Sequence, residues 1–157
     1  VKSRLFASVA LGAAVMLGAS GCSMISPQAT TIQYSPSDGV YVENSGPLKV
    51  RNVLIVANED GSQGNLIAAI VNDTAETQTL RMEIGEGSGV IEKSVRVPAN
   101  TILSFGTEET EPLLLDGLDT MPGADIPIYF QSGDSDGTVV SVAVLDGAQK
   151  YLAHLVP

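Results

Sequence analysis

The side chains able to do chemistry are few. The 157-residue chain has one Cys, one His and four Met, with 18 Asp and Glu against 8 Lys and Arg for a net charge of −10. A lone cysteine, Cys22, permits no intrachain disulfide and no Cys-based zinc site. A lone histidine, His154, removes multi-His metal centres. It stands in Tyr151-Leu-Ala-His-Leu-Val-Pro157 without a Gly-x-Ser-x-Gly elbow, so it reads as a polar residue on a terminal strand or frayed tail, not as the base of a Ser-His-Asp triad. Met82, Met121 and His154 are the soft ligands a cuprous ion would want, but methionine is common core filler. Glu108, Glu109 and Glu111 in one stretch, and Asp134 and Asp136 between glycines in another, offer hard oxygen ligands to calcium. The second stretch is too short for an EF-hand loop, and the expectation is a solvated loop and a hairpin turn. Tyr34-Ser-Pro-Ser-Asp-Gly39 is either a binding loop or the turn that begins the first hairpin.

Whole classes fall away with these counts. An acidic chain has no basic surface with which to displace counterions from nucleic acid. No Gly-rich loop sits between a strand and a helix, which disfavours a nucleotide or S-adenosylmethionine enzyme. The acids form many pairs by chance and none is marked for glycoside hydrolysis, while seven aromatic residues give little to stack a sugar on.

Cys22 is the residue with a specific context. Lys2 and Arg4 precede an uncharged run of 13 residues, Leu5 to Leu17, then the small residues Gly18 to Gly21, and no acid stands before Asp38. A basic start, an apolar middle and a small-residue end form the layout of a secretory signal. A run of 13 is short for a permanent membrane span, which needs about 20 apolar residues. Val1 is what a GTG initiation codon read literally would give, so a full reading frame is expected. Ala19-Ser20-Gly21-Cys22 resembles the bacterial lipobox, with Ala19 where Leu is usual. The resemblance implies cleavage between Gly21 and Cys22 and acylation of the Cys22 thiol and the new N-terminus, more than the two signals stable anchoring requires. Residues 1–21 are thus expected to be a signal peptide, and 22–31 the lipidated Cys and a tether of roughly ten residues reaching at most ~35 Å. The mature chain of 136 residues then has 18 acids and 6 bases, net −12, so attachment would come from the anchor and not from a basic patch.

Residues 32–157 must form the domain, and they read as short strands. Leu48–Ala57 alternates and then runs continuously apolar. Asn65–Val71, Thr77–Ile84, Val90–Val97, Thr101–Phe105, Leu113–Leu115, Ile126–Phe130 and Thr138–Leu145 follow, separated by Gly, Asn, Asp and Pro turns. Their spacing and β-branched content predict an all-β fold, an antiparallel β-sandwich of seven or eight strands.

Four segments carry a family resemblance. Asn65 to Asn72 ("NLIAAIVN"), Val97-Pro-Ala-Asn-Thr-Ile-Leu103, Leu114-Leu-Asp-Gly-Leu118 and Gly123-Ala-Asp-Ile-Pro-Ile-Tyr-Phe130 are similar, in the same order, to segments of the periplasmic copper chaperones called PCuAC. They span roughly residues 48 to 145. The resemblance implies a cupredoxin-like or immunoglobulin-like sandwich, with actinobacterial cell-envelope lipoproteins as nearest kin. The family's copper ligands are His and Met, and the matching positions hold Thr79, Val90, Pro112 and Leu114, none of which is a ligand type. Fold alone does not restore the function.

The reading is a lipid-anchored extracytoplasmic β-sandwich. It is expected to be a non-catalytic binding module of the cell envelope, with no metal and no cofactor. Its expected partners are the membrane, through Cys22, and an unidentified protein or small molecule. The alternative is a copper-handling lipoprotein with other ligands; a hydrolase using unmarked carboxylates comes third.

Overall fold

The computed structural model describes residues 2–19 and 38–157. The chain divides into two units, Val1–Tyr34 and Ser35–Pro157. Gly21 and Cys22 lie outside the described residues.

In the first unit, α1 (Lys2–Ala19) is a helix carrying exposed Phe6, Val9, Leu11 and Val15. Those four are spread around the helix, as the uncharged run dictates, and do not form one apolar stripe. Among the described residues no helix is long and apolar enough to cross a membrane.

Among its described residues the second unit holds nine strands: β1 (Val40–Val42), β2 (Lys49–Ala57), β3 (Gln63–Asn72), β4 (Gln78–Ile84), β5 (Ile91–Val97), β6 (Thr101–Phe105), β7 (Leu113–Asp116), β8 (Asp125–Ser132) and β9 (Thr138–Leu145). They form an all-β, cupredoxin-like sandwich that nearly closes into a barrel. One half centres on β2 and β3, antiparallel with Val50 opposite Ile70 and Ile55 opposite Leu66. β1 lies beside the start of β2, while β7 and then β6 lie along the outer edge of β3. The other half is antiparallel throughout, in the order β5-β4-β8-β9.

Two features differ from the sequence-based expectation of seven or eight antiparallel strands. β1 is a ninth strand, and its three residues are too short to show a period. The halves join where β9 runs parallel to β2, with Ile55 opposite Val144 and Val56 opposite Leu145. Side-chain alternation reports which face is buried and not the direction of the neighbouring strand, so the sequence pattern is silent on this seam.

The continuous apolar run of β2 has a structural cause. A bulge between Arg51 and Leu54 shifts the register, with Asn52 at φ 52°. Val53, Ile55 and Ala57 then face the core, while Leu54 and Val56 face outward. The outward pair is buried all the same, because the C-terminal segment lays Leu152 and Leu155 on it beside Ile67. Asn65 Nδ2 donates to the Leu155 carbonyl at 2.8 Å and the Tyr151 hydroxyl to Asp38 at 2.6 Å, fastening the segment at two points.

Between the halves, Leu66, Ile70, Leu80, Met82, Ile84, Ile128, Phe130 and Val144 are essentially inaccessible to solvent. Gly64 stands in β3 because a Cβ there would come within 2.7 Å of Ile55 and Leu118 side-chain carbons. Asn72, 1% exposed, ties the loop after β3 to the turn after β5. Its Nδ2 donates to the carbonyls of Glu76, Val97 and Pro98 at 2.8, 3.1 and 2.9 Å, and its Oδ1 accepts from the Thr74 amide and hydroxyl. Such a buried amide is stable only because it is hydrogen-bonded throughout.

Candidate functional site

The outer face of the β5-β4-β8-β9 half is open, unlike the covered outer face of the other half. Alternation sends Leu80, Met82 and Ile84 of β4 inward and Thr79, Arg81 and Glu83 outward. The same rule turns Glu92, Ser94 and Arg96 of β5 outward. β8 contributes Tyr129 and Gln131 to this face, opposite Glu83 and Arg81 respectively.

A groove of about 420 Å³ crosses this face, lined by Arg81, Glu83, Tyr129, Gln131, Ser135 and Asp136. The last two come from the hairpin between β8 and β9, which stands over the strand ends as a wall. Hydrogen bonds hold that wall in place. The Tyr129 hydroxyl donates to the Asp136 carbonyl at 2.8 Å, and Gln131 Nε2 donates to the carbonyls of Gly133 and Ser135 at 2.6 and 3.4 Å. The Ser135 hydroxyl donates to the Ser132 carbonyl at 2.9 Å. Gly137 takes φ 71°, and a Cβ there would meet the Tyr129 hydroxyl at 2.5 Å, so the ring lies where only glycine leaves room.

The residues singled out from sequence are distributed elsewhere. Met82 is in the core at 1% exposure, opposite Phe130, whereas Met121 is 59% exposed in the turn after β7. His154 is exposed in the 3₁₀ turn Ala153–Leu155, because its neighbours Leu152 and Leu155 take the inward positions. The trio Met82, Met121 and His154 is therefore one core residue and two surface residues. Thr79 is exposed on β4 and Val90 half-buried just before β5; Pro112 is half-buried and Leu114 exposed at β7. Glu108, Glu109 and Glu111 are exposed in the β6–β7 loop, where Gly106 and Thr107 amides both bond the Thr110 carbonyl. Asp134 and Asp136 lie in the β8–β9 hairpin, and Asp136 there joins the groove. Of Tyr34–Gly39 only Asp38 and Gly39 are described; Gly39 N donates to Asn52 Oδ1 at 3.3 Å and Asp38 receives Tyr151. Among the described residues no three His, Cys, Asp or Glu side chains gather to hold a metal.

Sequence reading missed Arg81, Glu83, Tyr129, Gln131 and Ser135 as a site. The signal for each strand is present, since polar residues alternate with apolar ones along β4 and β8. The register that puts Glu83 opposite Tyr129, 46 positions later in the chain, is not in the local pattern.

No protein-family profile matches the sequence, and no curated protein matches it. Solved structures do. The chain is similar to the "Copper-bound PCuAC domain from PmoF2" with TM-score 0.50 and 11% identity, over 68% of this chain and 99% of that one. It is similar to the "apo PmoF2 PCuAC domain" with TM-score 0.51 and 12% identity, over 69% and 96%. The fold is PCuAC-like. At such identities the likeness is one of backbone arrangement, and the PCuAC-like fold leaves the open face and its groove to be read from this chain's own residues.

Proposed function

We propose that the protein is a lipid-anchored, non-catalytic binding module, held on the extracytoplasmic face of the cell membrane through acylated Cys22. The observation that carries the binding role is the contrast between its faces. One outer face is roofed over Leu54, Val56 and Ile67 by the chain's own C-terminal segment, and the other presents a polar groove framed by a hydrogen-bonded hairpin. A groove of that volume is within the range of small-ligand sites. The anchor is supported by the placement of the single Cys at the end of a signal-like leader. Cys22→Ala is expected to release the protein from the membrane fraction or leave it unprocessed. Membrane-bound, lipid-labelled Cys22→Ala protein would refute the anchor.

A second reading, copper handling with non-standard ligands, is favoured by the likeness to a PCuAC domain described as copper-bound. The residues of this chain do not fit it. The positions that match the family's ligands offer a hydroxyl and three hydrocarbon side chains, Met82 is enclosed in the core, and Met121 and His154 are single surface groups. Titration of the full-length protein in detergent with cuprous ion separates the two readings. Stoichiometric binding at submicromolar affinity would establish the second and overturn the first.

A further inference from the structure

The groove's hydrogen-bonding inventory narrows what it takes. Its neutral donors are already engaged inside the hairpin: the Tyr129 hydroxyl, both Gln131 amide protons and the Ser135 hydroxyl all go to backbone carbonyls. Toward solvent there remain acceptors, namely the Glu83 and Asp136 carboxylates, Gln131 Oε1 and the oxygen lone pairs of Tyr129 and Ser135. A single donor group remains, the Arg81 guanidinium. The described residues contain one ion pair, Lys49 with Asp73, so Arg81, Glu83 and Asp136 are not in one. A second feature points the same way. Glu83 stands directly opposite Glu92 of β5, and like charges in that register repel. One row further along, Arg81 sits between Ser94 and Gln131. Arg81 and Glu83 are two residues apart on one face, roughly 7 Å between their Cα atoms, within reach of one small molecule for side chains of this length.

We propose, resting on the binding-module reading, that this groove binds an amino-acid-type zwitterion. The ligand's primary ammonium lies among Glu83, Asp136 and the Tyr129 ring, and its carboxylate lies on the Arg81 fork. A primary ammonium brings three donors to a surface rich in acceptors and relieves the Glu83–Glu92 repulsion. The planar guanidinium suits a carboxylate, which it grips through two parallel bonds.

Calorimetric titration of the full-length protein in detergent micelles tests this with three probes: L-lysine, its decarboxylated counterpart cadaverine, and hexanoate, which has no ammonium. L-lysine is expected to bind saturably at one site, and cadaverine about tenfold more weakly for want of one charge-assisted contact. Hexanoate is expected to be weaker still. Arg81→Gln should lower L-lysine to the affinity of cadaverine and leave cadaverine unchanged, whereas Glu83→Gln should weaken both about tenfold. Unchanged thermal midpoints would show that both variants are folded. The proposal is overturned if L-lysine gives no saturable heat, if cadaverine or hexanoate binds as tightly, or if neither variant alters L-lysine. Photo-crosslinking from Ser94 in intact cells keeps the two levels apart. Partners captured there without L-lysine binding would sink the zwitterion and spare the binding module, and an absence of both partners and L-lysine binding would sink the module itself.

Discussion

The two outer faces of the sandwich are built from the same alternating strands and end up opposite in character. On the β2–β3 half, Leu54, Val56 and Ile67 point outward and Leu152 and Leu155 are laid over them. On the β4–β8 half, Thr79, Arg81 and Glu83 point outward and are exposed, and Tyr129 and Gln131 beside them are only half-buried beneath the β8–β9 hairpin. An apolar outward row has to be roofed, because exposed hydrocarbon of that extent favours association or aggregation. A polar outward row is stable in water, which leaves it free to meet a ligand. The edges follow the same logic. β5, the last strand of the open half, carries Glu92, Lys93 and Arg96, and half-buried Lys93 is on its inward side, a placement that discourages strand addition.

The contrast is broken most severely by removing the roof. Leu152→Ala and Leu155→Ala should each cost about 2–4 kcal/mol of unfolding free energy, because both side chains are buried against Leu54 and Val56. Denaturant melts should show this, whereas substitutions of Thr79 or Ser94 on the open face should fall within about 0.5 kcal/mol of wild type. A smaller effect is expected at the groove wall. Gly137→Ala places a methyl at φ 71° against the Tyr129 hydroxyl and should cost about 1–2 kcal/mol. It should also perturb the Tyr129 ring, visible as shifted ring resonances in NMR spectra.

The smallest effect is one of pH, and it is confined to the roofed face. The hydrogen bond to Asp38, aided by its negative charge, holds the Tyr151 phenol above its ordinary value of 10.0. Because the folded-state value is raised, the contribution is fully present below the unfolded value and is lost as pH rises through the folded one. Methyl resonances of Leu54 and Ile67 should therefore move above pH ~10 as the segment loosens, and Tyr151→Phe should remove that transition.

Much of this architecture was legible in the residues. Eight of the strands have clear apolar alternation or β-branched runs bounded by turn residues, and the segments from Asn65 to Asn72 and Gly123 to Phe130 pointed to the PCuAC-like fold. What escaped depends on contacts distant in sequence. The apolar run of β2 does not say what covers its outward side, and the roof formed by Leu152 and Leu155 lies about a hundred residues away. The terminal segment read as a frayed tail or a strand because its apolar residues, Leu152, Leu155 and Val156, follow no strand period. The groove needed the cross-strand register of β4 with β8, which sets one arginine among acceptors contributed by two separate stretches of chain, β4 and β8 with its hairpin.

The claim that the open face is the working surface has a direct test. A photoreactive amino acid is placed in living cells at Ser94, beside the groove, and in a second strain at Lys150, on the roofed side. Covalent adducts formed at Ser94 and weakened by Arg81→Gln, with few or none at Lys150, are the expected result. Adducts that form at Lys150 and are absent at Ser94 would contradict it.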